Sequence, residues 1–312
     1  MYTIGVDLGG TNIKAALVDE QGGILQEASR PTNLPRPAQA VCDDIADLCR
    51  QLMAGHTVAG VGIGCPGTVD DTDGMVLYSN NLDWSNFAMG PYLKERLGLP
   101  VRLANDANAA ALGEALAGCA KGADSAVIIT LGTGVGGGVV LGGKLLTGYT
   151  GAAAEPGHMV VNDAPDAPLC TCGRRGCLEA YASATALIRM TKDAMAAHPE
   201  SALWKLADLD TVTGRTAFDG RDAGDAAAAA VVAEYTHWLA VGIANLVNIF
   251  FPQVVGLSGG VANQGEALLA PLRAQVEPMV FGSAFARKKT TLTTCTLGYR
   301  AGVIGAGLLA QR

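Results

Sequence analysis

The sequence predicts an α/β protein of two related lobes with a ligand cleft between them. Three observations predict it. The stretch IGVDLGGTNIKAALV (Ile4–Val18) returns as VIITLGTGVGGGVVL (Val127–Leu141), and both read strand, glycine turn, strand. Short apolar runs alternate with segments of helical spacing along most of the chain. The 312 residues are 49% hydrophobic and 16% charged, enough to bury a substantial core.

Tyr2–Leu8 is an apolar strand that turns at Gly9-Gly10, and Ile13–Val18 and Ile24–Ser29 complete a meander. Ala38–Met53 places Val41, Ile45, Leu48 and Leu52 on one helical face. Val58–Gly64 is a buried-type strand closed by Pro66-Gly67, and Val101–Ala104 is another. Asn105-Asp106 opens a helix to about Leu116. The pattern restarts with a strand at Ala126–Leu131, a glycine turn over Gly132–Gly138 and a strand at Val139–Leu141. Helices are expected near Ala182–Ala197 and Ala223–Phe250. A strand at Val254–Ser258 should enter Gly259-Gly260 and be followed by a helix, and Gly298–Ala310 reads as a last helix. The expected domains are residues 1–118, rejoined by the helix at 298–312, and residues 119–297.

The glycine turns carry the first chemistry. A glycine turn between strands exposes backbone amides that can hold phosphate oxygens. Asp7 adds a carboxylate able to hold magnesium, and Thr11 adds a hydroxyl. Taken alone, Gly9-Gly10 reads more readily as an ordinary hairpin. Gly132-Thr133-Gly134-Val135-Gly136-Gly137 has the G-x-G-x-x-G spacing, but a strand follows it and not the helix that a dinucleotide fingerprint requires. No Walker loop occurs. One phosphate-type turn per lobe suggests a nucleotide in the cleft.

Residues 158–177 read HMVVNDAPDAPLCTCGRRGC. His158, Cys170, Cys172 and Cys177 offer one imidazole and three thiolates, a complete tetrahedral set for zinc with no open position. Such a closed site holds structure, and it directs attention to the neighbouring Glu155 for the chemistry. The other five cysteines are odd in number and scattered, as reduced thiols are.

These motifs together resemble the bacterial sugar kinases of the ROK family, within the actin-like ATPase superfamily. They are DLGGT at Asp7–Thr11, NDAN at Asn105–Asn108, LGTGVGGG at Leu131–Gly138, EPGH at Glu155–His158, CTCGRRGCLE at Cys170–Glu179 and SGG at Ser258–Gly260, in family order over nearly the whole chain. The resemblance implies the actin-like (ribonuclease H-like) two-lobed fold and an ATP-dependent hexose kinase, most similar to the glucokinase branch. It makes Asp106 the catalytic base that takes the proton of a sugar hydroxyl, and Asn81, Asn105, Glu155, His158 and Glu179 the sugar contacts. Asp7, Gly9, Gly10, Thr11, Gly132, Thr133 and Gly134 would hold the phosphates and magnesium, with Gly259 and Gly260 beside the adenosine. His158 would serve zinc with one ring nitrogen and the sugar with the other.

Read without the resemblance, Asp106 suits a helix N-cap equally well, Glu179 suits a helix start, and Asn80-Asn81 suits a plain turn. N-acetylmannosamine, fructose and allose kinases share most of these residues. A sugar-responsive repressor would need a DNA-binding segment ahead of Tyr2. The resemblance further implies a homodimer or homotetramer.

The formal charge of −7 argues against a nucleic-acid partner. The start MYTIGVDLGG shows no basic, apolar leader, and no charge-free apolar run reaches membrane-spanning length. A cytoplasmic protein is expected.

Overall fold

The computed structural model describes residues 1–312. The chain opens with the expected meander, β1 (Tyr2–Leu8), β2 (Asn12–Val18) and β3 (Ile24–Pro31), then α1 (Ala38–Met53) and β4 (Val58–Cys65). A small antiparallel sheet follows, β5 (Thr68–Asp70), β6 (Met75–Ser79) and β7 (Trp84–Phe87), then α2 (Met89–Leu97), β8 (Val101–Asn105) and α3 (Asp106–Leu116). The first five-stranded sheet has the order β3-β2-β1-β4-β8. Within it β1 pairs antiparallel with β2 and parallel with β4, and β4 pairs parallel with β8. The carboxyl ends of β1, β4 and β8 therefore share one edge, the usual place for ligands in sheets of this kind.

The later strands are β9 (Ser125–Leu131), β10 (Val135–Leu141), β11 (Lys144–Leu145), β12 (Val254–Ser258) and β13 (Thr291–Thr294). Their sheet, β11-β10-β9-β12-β13, repeats the first order strand for strand. Its antiparallel β10–β11 pair answers β2–β3, and its parallel β12–β13 pair answers β4–β8. The helices are α4 (Glu179–Ala182), α5 (Ala184–Ala197), α6 (Leu203–Leu206), α7 (Thr216–Asp222), α8 (Ala226–Phe250), α9 (Glu266–Met279) and α10 (Ala301–Leu309).

The chain forms two compact units. The first comprises residues 1–128, 138–154 and 295–312, and the second comprises 129–137 and 155–294. In the first unit, β1 alternates as a strand must. Ile4, Val6 and Leu8 enter a core with Val41, Ile45 and Leu48 of α1 and Met89 and Leu93 of α2. Thr3, Gly5 and Asp7 face α10. A Cβ on Gly5 would lie 1.9 Å from the Val303 carbonyl oxygen, and one on Gly62 of β4 would lie 1.8 Å from that of Ala306. Only glycine lets the α10 backbone approach so closely. Glu114 of α3, 1% exposed, ties the segment before α10 in place. Its carboxylate accepts the amides of Cys119 (2.9 Å), Thr296 (3.1 Å) and Leu297 (2.7 Å).

In the second unit, Asp225 caps α8 by accepting the Ala228 amide at 2.8 Å, and Phe251 ends it at φ +40° ahead of Pro252. By length and composition α8 could cross a membrane, with a mean hydropathy of 1.3 in its most apolar window. Half of that window is buried, against α5, α7 and α9, as in the core helix of a globular unit. The sequence expectation covered charge-free runs, and Glu234 inside this helix places it outside that class.

Other expectations need adjustment. The glycine turn is shorter than Gly132–Gly138, because β10 already begins at Val135. Gly138 serves close packing, since a Cβ there would meet Ala111 Cβ at 2.6 Å and Asn108 Oδ1 at 2.9 Å. The helix read as Ala182–Ala197 is two helices broken at Ser183, whose hydroxyl caps α5 through the Ala186 amide. The last helix starts as a 3₁₀ turn over Gly298–Arg300.

Candidate active site and metal centre

In the first unit the shared strand edge carries Asp7 at the end of β1, Cys65 at the end of β4, and Asn105-Asp106 where β8 becomes α3. The N-cap of α3 is Asn105 and not Asp106. The Asn105 side-chain oxygen accepts the amides of Ala107 (2.9 Å) and Asn108 (3.3 Å), and its Nδ2 donates to the Gly67 carbonyl at 2.9 Å. The Asn105 side chain also bonds the Asp106 carboxyl, which orients the two residues together. Asp106, the first helical residue, accepts the Ala107 amide at 2.9 Å, and its own amide and the Asn105 side chain also favour the charged carboxylate. Burial holds its carboxyl above the ordinary aspartate range, against the lowering effect of the Ala107 amide. Burial likewise raises Asp7, Lys14 opposes it, and the charge of Asp106 adds to it. Two carboxylates that sense each other at a strand edge suit one base and one cation ligand. Asn81 lies in the β6–β7 hairpin turn, exposed, with its carbonyl oxygen 3.8 Å from where a Gly10 Cβ would stand.

The two glycine turns are built alike. The Gly9 amide closes the first onto the Asn12 carbonyl, at 2.9 Å, and the Gly132 amide closes the second onto the Gly134 carbonyl, at 3.0 Å. The next two amides in each, Gly10 and Thr11, then Thr133 and Gly134, are not used in closing the turn. The glycines differ in why they are there. A Cβ on Gly134 would stand 2.3 Å from Glu179 Oε2 and displace that carboxylate from the Val135 amide, and Gly259 is required by its φ of +87°. Gly10, Gly132 and Gly260 have ordinary φ values. A Cβ at Gly132 or Gly260 would meet nothing within 4 Å, and one at Gly10 only the Asn81 oxygen. Neither backbone nor packing asks for glycine at these three. A ligand that must touch the main chain would.

In the second unit, Glu155 precedes a 3₁₀ turn, Pro156–His158, and its carbonyl accepts the His158 amide at 3.1 Å. Gly157 lets this turn lie on β10, because a Cβ there would stand 2.0 Å from the Val135 carbonyl oxygen. The ligand atoms of His158, Cys170, Cys172 and Cys177 all lie within 4.8 Å of one another. His158 turns Nδ1 to Cys170 Sγ at 3.6 Å, which leaves Nε2 for another partner. Cys172 and Cys177 have their sulfurs 3.7 Å apart. That matches the edge, about 3.8 Å, of a tetrahedron with zinc–sulfur bonds of about 2.3 Å. Gly173 (φ +85°) and Gly176 (φ +76°) give the loop its two tight turns. The Arg174 amide holds the Cys172 thiol down at about 6, while burial pushes Cys170 up to about 12. The donor set fits zinc.

Glu179 opens α4 and bridges three parts of this unit. Its Oε1 accepts the Thr171 hydroxyl at 2.6 Å and the Cys170 thiol at 3.4 Å, and its Oε2 accepts the Val135 amide at 3.0 Å. It therefore couples the cysteine loop to the second glycine turn. Sequence reasoning overlooked Thr171, Lys14 and Gly67. Lys14 was legible in principle, since strand alternation puts it across from Asp7.

The chain belongs to the ROK family, whose pattern it matches over residues 3–312. It is 40% identical over 310 residues to a glucokinase of Thermotoga maritima, covering 99% of this chain and 96% of that protein. It is 39% identical over 313 residues to a glucokinase of Streptomyces coelicolor, covering 99% and 97%. Among solved structures, a ROK glucokinase from Streptomyces griseus in complex with glucose and AMPPNP superposes with a TM-score of 0.78 at 39% identity, covering 100% of this chain and 99% of that one. The fold is thus that of the ROK glucokinases, the actin-like ATPase fold.

Proposed function

We propose that this chain is a hexokinase-type phosphotransferase that moves the γ-phosphoryl group of ATP to the 6-hydroxyl of glucose. The observation that carries the reading is Asp106. It stands at a strand edge with the helix cap supplied by Asn105, so its carboxylate is not committed to capping and suits a base. Burial raises its proton affinity toward that of a working general base, and the acceptor hydroxyl needs one only as it attacks phosphorus. Asp106 takes the hydroxyl proton, the hydroxyl oxygen bonds to the γ-phosphorus, and ADP leaves.

Asp7 is assigned to the magnesium ion and its water, and Gly10, Thr11, Thr133 and Gly134 to the phosphates through their main-chain amides. Gly9 and Gly132 close those turns, and Gly259-Gly260 is assigned to the adenosine. Magnesium supplies charge neutralisation on the phosphates. Asn105, with Asn81, Glu155 and His158 Nε2, is assigned to the sugar hydroxyls. Glu179 has both oxygens engaged within the protein, and it is assigned to the sugar through the lone pairs left over. Zinc at the Cys–His cluster supplies a cross-link that fixes the His158 ring.

The eight thiols are unpaired, which supports a reducing, cytoplasmic setting. A homodimer or homotetramer is the proposed assembly. Phe281 and Phe285, 96% and 91% exposed, offer apolar surface for one, and light scattering reads the mass.

ADP release with magnesium-ATP against glucose, mannose, fructose, allose, N-acetylglucosamine and N-acetylmannosamine tests the function. Preference for glucose supports it. Preference for another sugar refutes the substrate, and silence across the panel from folded protein refutes the kinase.

A further inference from the structure

We propose that Gly302 is a positioning residue that sets the carboxylate of Asp7 for its cation. The inference rests on the assignment of Asp7 made above.

The face of β1 opposite the α1 core runs along α10 in three steps. The Thr3 hydroxyl donates to the Gly307 carbonyl at 2.8 Å. Gly5 lies against Val303 and Gly307. Asp7 lies over Gly302, in the first turn of α10. A Cβ on Gly302 would stand 3.1 Å from Asp7 Cγ and 3.3 Å from each carboxylate oxygen, and these are its three nearest atoms. The carboxyl group thus rests broadside on a bare Cα with both oxygens held at the same distance.

Gly302 is helical, not left-handed, so its backbone conformation does not call for glycine. A glycine inside a helix costs about 1 kcal/mol relative to alanine. The neighbouring glycines of α10 are explained by backbone or core contacts, Gly305 by the Ala109 carbonyl and Gly307 by Val18. Only Gly302 is explained by a side chain assigned to the reaction.

An alanine methyl there would push the carboxyl away by a few tenths of an ångström. Lys14, the register partner of Asp7 on β2, carries its ammonium 5.5 Å from the centre of the Tyr299 ring, and Tyr299 lies in the turn that leads into α10. Asp7 is therefore set from two sides, by a cation across the strand pair and by a gap in the helix. The first turn of a helix also favours a carboxylate electrostatically.

The test is Mn²⁺ affinity in the presence of ADP, read by the paramagnetic resonance of the free ion, for wild type, Gly302→Ala and Asp7→Asn. Gly302→Ala should weaken Mn²⁺ binding about tenfold, as loss of support behind a metal ligand does, with the glucose KM unchanged and unfolding stability equal or higher. Unchanged Mn²⁺ affinity in Gly302→Ala, beside a clear loss in Asp7→Asn, overturns the inference. A fall in stability with all kinetic constants worsened together marks a packing role and also overturns it. Unchanged affinity in Asp7→Asn refutes instead the assignment of Asp7.

Discussion

Glu114→Gln is expected to cost the first unit about 3 to 5 kcal/mol, although the change replaces one oxygen by one nitrogen. Glu114 is 1% exposed, and both oxygens accept backbone amides, Oε2 from Cys119 and Thr296 and Oε1 from Leu297. A glutamine can keep its oxygen toward the first pair. Its NH₂ group then faces the Leu297 N–H, donor against donor, and a buried amide left without an acceptor costs about 1–3 kcal/mol. The two bonds that remain change from charged to neutral acceptors, each losing about 1 kcal/mol. The sum gives the stated range. Glu114→Ala should cost more, since all three amides lose their acceptor. Guanidinium unfolding measures the loss, and hydrogen exchange at Cys119, Thr296 and Leu297 locates it. Glu114→Gln unfolding within about 0.5 kcal/mol of wild type, the range of ordinary surface changes, would refute the reasoning.

Two variants test the site. Asp106→Asn should lower turnover by about 10²–10⁴-fold and leave glucose affinity within a small factor, and strong residual turnover would remove Asp106 as the base. The same variant should be more stable than wild type at pH 7. The folded pKa of Asp106 is raised, so stability is lost as pH rises from the unfolded value through the folded one, and the loss persists above it. For the same reason the acid limb of kcat should lie above the ordinary aspartate range, and denaturant titrations and a pH–rate profile check both signs. Cys172→Ala should lose zinc, loosen the loop from His158 to Glu179 and weaken glucose binding. Metal analysis that finds no zinc in the wild-type protein would refute the metal centre.

Much of the frame was legible because period and punctuation agree. The β1–β2 hairpin, α1, β4 and the β8–α3 junction stand where alternation, helical spacing and the Asn105-Asp106 start place them. The strand at Val135 was not legible, because Gly136–Gly138 read as a turn when the sequence alone is considered. Gly138 is there for the close approach of α3, which only the tertiary structure reveals. The small β5–β7 sheet escaped notice because strands of three to five residues carry too little alternation. At the site, residue types pointed to the zinc set and the phosphate turns. They could not say that Asn105 does the capping, or that Glu179 ties Thr171 to the Val135 amide, because those facts depend on partners far along the chain.

The first unit receives α10 only after residues 155–294 have been made. At ribosomal rates of about 5–20 residues per second, β1 and β4 wait on the order of ten to sixty seconds for the helix that covers them. The slot that waits is lined by Gly5, Gly62 and Gly113, each within 2.4 Å of an α10 carbonyl oxygen once a Cβ is imagined on it. Beside those glycines lie Ala16 and Val18, which close against Val303, Ile304 and Leu308. The last helix thus completes two jobs at once, filling a backbone-deep groove and covering the apolar strand face beside it.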